Sequence, residues 1–325
     1  MERWKGERMK GREDERMRGR MDEWTRGRED ERKKGREEGT FFLPFFLSSI
    51  PVFIYTILLT YLVIVVYPMI WLLYTSLKTD REIFLAPFTL PDWGNLQWIN
   101  FSRAWTIGHF GDYFLNSTIL TLLTVVLSLL FAAMAAYALS RFRFGGVRPL
   151  FFYFLAGLMV PLQLAIVPLF FQMKDMLLLN SRLGLLLVYV AFGMPFAIFI
   201  LAGFFRSLPS GLHESALMDG AGELRAFWSI MLPLAKPGLI TVGIFAFLGT
   251  WNEFFMAFMF LSGENAQDLR TLPLGLANLT IISQYRSDWG MAFAGLVLMM
   301  LPTMLVYGLL QRHLTKGLTV GALKG

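Results

Sequence analysis

The 325-residue chain has no cysteine, and its three histidines, His109, His213 and His313, are scattered along it. Disulfides and thiolate metal sites are therefore excluded, and no histidine cluster stands at ligand spacing. The phosphate-binding pattern Gly-x-x-x-x-Gly-Lys-Ser/Thr is also missing, so the chain cannot hold ATP through such a loop. Charge is scarce where the chain is most apolar. Glu253 is the one carboxylate inside the long hydrophobic stretches, whereas an intramembrane enzyme needs paired acid–base or metal groups there. No covalent catalysis, no metal and no cofactor of its own are expected.

What the chain does have is apolar length. It is 55% hydrophobic and 15% aromatic, with a mean hydropathy of +0.51, beyond the range of an ordinary soluble domain. Crossing a hydrocarbon core takes about 20 apolar residues. Six stretches suffice, near 52–76, 117–139, 149–171, 183–205, 238–261 and 291–311. Runs this uniformly apolar leave no room for barrel alternation, so the expected class is an all-α integral membrane protein with six transmembrane helices. Pro44 and Pro51 make 41–51 an interfacial lead-in. Pro68, Pro161, Pro168, Pro195 and Pro302 fall inside spans and predict kinks, because each removes a backbone donor and clashes with the preceding turn.

The net charge of +6 does not signal nucleic acid, because 14 of the 30 basic and 12 of the 24 acidic residues crowd into the first forty positions. There Gly11-Arg12-Glu13-Asp14-Glu15-Arg16 recurs as Gly27-Arg28-Glu29-Asp30-Glu31-Arg32, a low-complexity pattern without the apolar centre of a signal peptide. Two regions follow: a charged extension over 1–40, expected to be disordered and cytoplasmic, and a transmembrane domain over 41–325. The connection after the second span carries Arg141, Arg143 and Arg148 with no acid, and the end of the chain carries Arg312, Lys316 and Lys324 with no acid. Both belong on the cytoplasmic side, with both termini. Connections at 77–116, 174–182 and 262–290 mix signs and belong outside, where Trp93, Trp98, Trp105 and Trp289 suit an aromatic interface belt.

One polar interruption, residues 214–237, lies on the cytoplasmic side between the fourth and fifth spans. Leu212, Ala216 and Leu217, then Leu224, Phe227, Trp228 and Met231, recur at helical steps, and Asp219-Gly220-Ala221-Gly222 breaks them apart. The pattern predicts a helix–turn–helix too polar for hydrocarbon, whose glycine turn allows close backbone approach to a partner.

Glu214, Gly220, Ile230, Leu232, Pro233 and Pro237 at this spacing resemble the cytoplasmic coupling motif of permease subunits in bacterial ABC importers. The resemblance extends over roughly 52–325 and is nearest the maltose-type carbohydrate transporters. Trp251-Asn252-Glu253-Phe254, Thr271-Leu272-Pro273-Leu274-Gly275 and the ending Gly317 to Gly325 carry it further. Two departures stand out: Ser215 where Ala is usual, and Gly222 where a helix-capping Ser is usual, the lost cap costing a few tenths of a kcal/mol. Residues 1–40 lie outside the resemblance, which suits either an added extension or a translation start placed too far upstream.

The resemblance implies a bacterial inner-membrane permease, without enzymatic activity, that couples ATP hydrolysis by a separate subunit to alternating access for a di- or oligosaccharide or related polyol. A non-sugar solute such as a polyamine, or a sugar phosphate ester, is the alternative. Implied partners are a second homologous permease, a homodimeric cytoplasmic ATPase, an extracytoplasmic solute-binding protein and membrane lipid, with no nucleic acid. The external tryptophans could then meet the binding protein. Implied ATPase-coupling residues are Glu214, Ala216, Asp219, Gly220, Ile230, Leu232 and Pro233, and the implied ATPase-contacting tail includes Lys316, Gly317, Gly321 and Lys324. Gln163, Trp251, Asn252 and Glu253 are candidates for lining the pathway. For Glu253 two accounts stand open: a hydrated route with sugar hydroxyls, or pairing with another helix or the partner permease. Gln163, Asn116 and Ser117 divide the same way.

Overall fold

The computed structural model describes residues 51–286 and 288–322, with 19, 21, 23–29, 31 and 32 before them. The lead-in at 41–50 and Lys324 lie outside the described residues, as do the side chains of 312–322. The chain divides into two units, 1–70 and 71–325. In the first, residues 23–29 form exposed helical turns, and α1 (Pro51–Thr75) begins. None of the most apolar part of α1 is buried, as suits a surface facing lipid. Two of its hydroxyls are satisfied internally: Thr56 and Thr60 each donate to the carbonyl four residues back at 2.8 Å.

The second unit contains α2 (Asp80–Leu85), α3 (Ile99–Thr106), α4 (Phe110–Arg141), α5 (Val147–Gly157), α6 (Leu162–Asp175), α7 (Arg182–Ser207), α8 (Ser210–Met218), α9 (Glu223–Leu234), α10 (Lys236–Trp251), α11 (Phe255–Phe260), α12 (Leu272–Arg286) and α13 (Trp289–Ala322). No strand occurs among the described residues. Among the described residues four helices are long and apolar enough to cross a membrane, namely α1, α4, α7 and α13 up to Gln311. The count reaches six if each of two bent pairs is one span, α5 with α6 at 97° and α9 with α10 at 76°.

Two expected spans are interrupted, one at the α5–α6 bend and one past the end of α10. The stretch at 149–171 breaks at Pro161, which caps α6 in an extended conformation (φ −63°, ψ 134°). Proline disfavours the helical region for its predecessor, and here the chain turns. Pro68, Pro168, Pro195 and Pro302 instead lie inside unbroken helices. The stretch at 238–261 stops at Trp251 and resumes at Phe255, where the Glu253 carboxylate accepts the amides of Met256 (2.7 Å) and Ala257 (3.1 Å). A carboxylate satisfying two orphan donors starts a new helix.

The central pair is α4 and α7, which meet through small residues, Ala132, Ala133 and Ala136 against Ala197 and Ala202, all buried. Small side chains let two backbones approach closely where no hydrophobic force drives helices together. Three apolar clusters result. One joins α4, α7 and α9; one joins α6, α7 and α11; the third gathers α3, α12 and α13 around Trp251.

The connections at 77–116 and 262–290 are more structured than their mixed charge suggested. Thr79 and Glu82 form a capping box on α2, and the Thr79 amide at Glu82 holds that carboxyl below its usual range. Lys78 is fully buried, donates to the Ala86 and Pro87 carbonyls at 2.9 and 3.4 Å, and is pushed down in pKa by that burial. Arg103 pairs with Asp288, and the Gly290 amide donates to Asp80 at 2.9 Å, tying α2 and α3 to the start of α13. The 262–290 connection also contains α12, whose Leu272, Leu276 and Leu279 are buried at helical spacing. Gly275 lies flat against the Tyr113 ring, where a Cβ would collide.

Candidate functional site

The polar stretch folds as its periodicity implies, α8 and α9 around a four-residue turn. The Ala221 amide donates to Ala216 and the Gly220 amide to Leu217, both at 3.0 Å, which is the bond pair of a Schellman motif. That motif requires a left-handed residue just past the helix end, and Gly220 supplies it at φ +83°. A Cβ there would meet nothing within 4 Å, so within this chain the demand for glycine is conformational and not steric. Gly222 starts α9 with no side-chain cap, as its departure from the usual serine implies.

The coupling candidates separate by exposure. Glu214, Asp219, Gly220 and Pro233 are exposed, with Met218 beside them 88% exposed. Ala216 is buried, and Ile230 and Leu232 pack against the α4–α7–α9 cluster. Ahead of Pro233 the helix widens into a π turn over Phe227–Met231, the Leu232 amide reaching the Phe227 carbonyl. Widening is one way a helix relieves the proline ring's clash with the carbonyl one turn earlier.

What holds this segment to the bundle was not foreseen. The Glu223 carboxylate accepts from the Tyr137 hydroxyl of α4 at 3.0 Å and lies 3.0 Å from His213 Nε2 of α8. Tyr137 is buried, and the His213 ring packs edge-on against it at 5.8 Å. One carboxylate therefore joins α8, α9 and α4. Beside it Arg141, read from sequence only as an orientation charge, donates to the Phe205 and Leu208 carbonyls at 2.7 and 2.8 Å and closes the end of α7.

The four pathway candidates do not converge. Trp251 is buried, stacked 10° from parallel on Phe247, and donates to the Met299 carbonyl at 3.2 Å, so it is a packing residue. Asn252 is exposed and returns its amide to Leu248 at 2.9 Å, and Gln163 is exposed on α6. Glu253 alone faces a cavity, about 400 Å³, between α4, α7 and α10, where the Tyr189 hydroxyl donates to it at 2.8 Å. Asn116 and Ser117 are fasteners: Asn116 bonds the Asp268 and Arg270 carbonyls and accepts from Arg182, and Ser117 accepts the Leu272 amide at 2.7 Å. The tail residues Lys316, Gly317 and Gly321 lie on the last turns of α13.

In sequence and fold the chain is similar to known proteins. Residues 128–320, more than half of the chain, match the family described as binding-protein-dependent transport system inner membrane component. The diacetylchitobiose uptake system permease protein NgcG of Streptomyces coelicolor is 44% identical over 83% of this chain and 88% of its own length. The trehalose transport system permease protein SugB of Mycobacterium tuberculosis is 34% identical over 79% of this chain and 92% of its own. In three dimensions the chain is similar to a crystal structure of a bacterial ABC transporter involved in the import of the acidic polysaccharide alginate. The TM-score is 0.69 at 26% identity, covering 79% of this chain and 93% of that one. Fold and sequence agree, and the chain belongs to the binding-protein-dependent transport system inner membrane components, which are transport permeases and not enzymes.

Proposed function

We propose that this chain is one permease half of an ATP-driven importer for short oligosaccharides, with diacetylchitobiose the first cargo to try. The observation that carries the reading is the 44% identity to a diacetylchitobiose permease over 83% of this chain, with permeases named for trehalose and sulfoquinovosyl glycerol among the other relatives. Family membership brings an ATPase and a solute-binding protein as partners. The finer assembly is our reading: a second homologous permease beside this one and a homodimeric ATPase that binds the ATP. In it, the exposed turn at Glu214, Asp219 and Gly220 docks against the ATPase, and the fastened helices carry its motion into α4 and α7.

Reconstituted with its partners, the transporter should hydrolyse ATP faster and accumulate label when loaded binding protein is offered diacetylchitobiose. If a panel that also includes trehalose and maltose neither stimulates hydrolysis nor accumulates, the carbohydrate reading is wrong.

The same reading places both termini and the α8–α9 pair in the cytoplasm, supported by the Arg141, Arg143 and Arg148 connection. A reporter fused after Arg148 should give a cytoplasmic signal. An external signal there would overturn the orientation.

A further inference from the structure

The cavity between α4, α7 and α10 contains two hydroxyls that the fold leaves unused. In an apolar helix Ser and Thr commonly return the hydroxyl to a carbonyl one turn back, as Thr118 and Thr241 do at 2.7 and 2.9 Å. Thr124 and Ser128 do not. They are 2% and 1% exposed, both line the cavity, and neither hydroxyl has a hydrogen-bond partner among the described residues. Buried polar groups are normally paired, so two orphans on one wall, one turn apart, call for a ligand. Glu253, on the same cavity, accepts two hydrogen bonds at Oε2 and one at Oε1, which leaves an acceptor position open at Oε1.

The other lining is aromatic. Phe192, Phe196 and Phe245 face the same space, with Phe196 and Phe245 edge-to-face at 5.4 Å. Their negative ring faces attract polarised C–H groups. A volume of about 400 Å³ falls among small-molecule sites, which span about 300–1,000 Å³. Gly249 helps keep it open, since a Cβ there would meet nothing within 4 Å.

We infer that this cavity is a saccharide subsite carried by this subunit. Thr124, Ser128 and Glu253 bind the hydroxyls of a sugar unit, and the phenylalanines pack against its C–H face. The inference rests on the carbohydrate reading above. A lipid chain would suit the phenylalanines but leave both hydroxyls and the carboxylate unanswered.

The absence of cysteine supplies the test, because Ser128→Cys introduces this chain's one thiol. In the reconstituted complex that thiol should react with a small alkylating reagent. Binding protein loaded with diacetylchitobiose, held with a non-hydrolysable ATP analogue, should slow the reaction about threefold or more, and empty binding protein should not. Thr124→Val should weaken the protection and lower uptake at saturating binding protein by about three- to tenfold, the worth of one hydrogen bond, while Thr124→Ser keeps both. Unchanged labelling and unchanged uptake in a complex whose wild type imports the sugar would overturn the subsite and leave the carbohydrate reading standing. A wild type that imports no sugar of the panel overturns both.

Discussion

Gly220→Asn should leave the permease in the membrane at its normal level and still lower uptake strongly. Two demands meet at this residue and asparagine separates them. The first is local: φ is +83°, a region that costs most side chains about 1–2 kcal/mol but that asparagine tolerates well. The second is the docking proposed above, in which any side chain on this exposed turn holds the ATPase away. If conformation were the whole requirement, Gly220→Asn would transport like wild type and Gly220→Leu would be destabilised. Docking instead predicts that both lose uptake and substrate-stimulated ATP hydrolysis together. Glu214→Ala belongs to the same experiment. The carboxylate is exposed in this chain and lies past the first turn of α8, not at the helix start its sequence suggested, so the helix dipole does little for it. Against a basic group in an ATPase cleft it becomes half of a desolvated pair, and breaking such a pair from one side costs about 3–5 kcal/mol. Uptake should then fall by about a hundredfold or more. Wild-type transport in both Gly220→Asn and Glu214→Ala would reduce the stretch to a surface helix pair.

The features legible in the sequence are those that depend on neighbours in the chain. Long apolar runs announced the membrane helices because leaving them exposed to water is so unfavourable that few alternatives exist. The α8–α9 pair was legible because helical periodicity and a glycine turn are local signals. The interruptions were not legible. Pro161 breaks a helix and Pro168 does not, since the outcome turns on what packs around each ring. Likewise α12 hides in a stretch whose mixed charge reads as a loop, though Leu272, Leu276 and Leu279 carried the spacing of a buried face.

Side-chain roles suffered more, because partners lie far away in sequence. Asn116 finds its carbonyls 152 and 154 residues on, and Tyr137 finds Glu223 86 residues on. Polar residues in apolar surroundings stood out in the sequence. Whether each one fastens helices or faces the cavity needed the fold, and only Glu253 among the pathway candidates does both.

The Tyr137–Glu223–His213 knot gives the second large effect. Glu223→Ala removes the one acceptor shared by a buried tyrosine hydroxyl and a nearly buried histidine. Each orphaned group costs about 1–3 kcal/mol, and the loss falls at the joint between the proposed docking helices and α4. The assembled transporter should therefore keep hydrolysing ATP while importing less sugar per ATP, because the ATPase moves a segment that no longer pulls on the bundle. Glu223→Gln retains an oxygen for the tyrosine and should recover much of the coupling. Tyr137→Phe alone should cost less than Glu223→Ala, since it leaves His213 partnered. Combined with Glu223→Ala it should add little, because the two changes remove the same bond. Thermal unfolding of the complex and the ratio of sugar imported to ATP hydrolysed measure both halves of this. Strictly additive losses, or an unchanged ratio in Glu223→Ala, would show that the carboxylate sits beside the joint without transmitting anything through it.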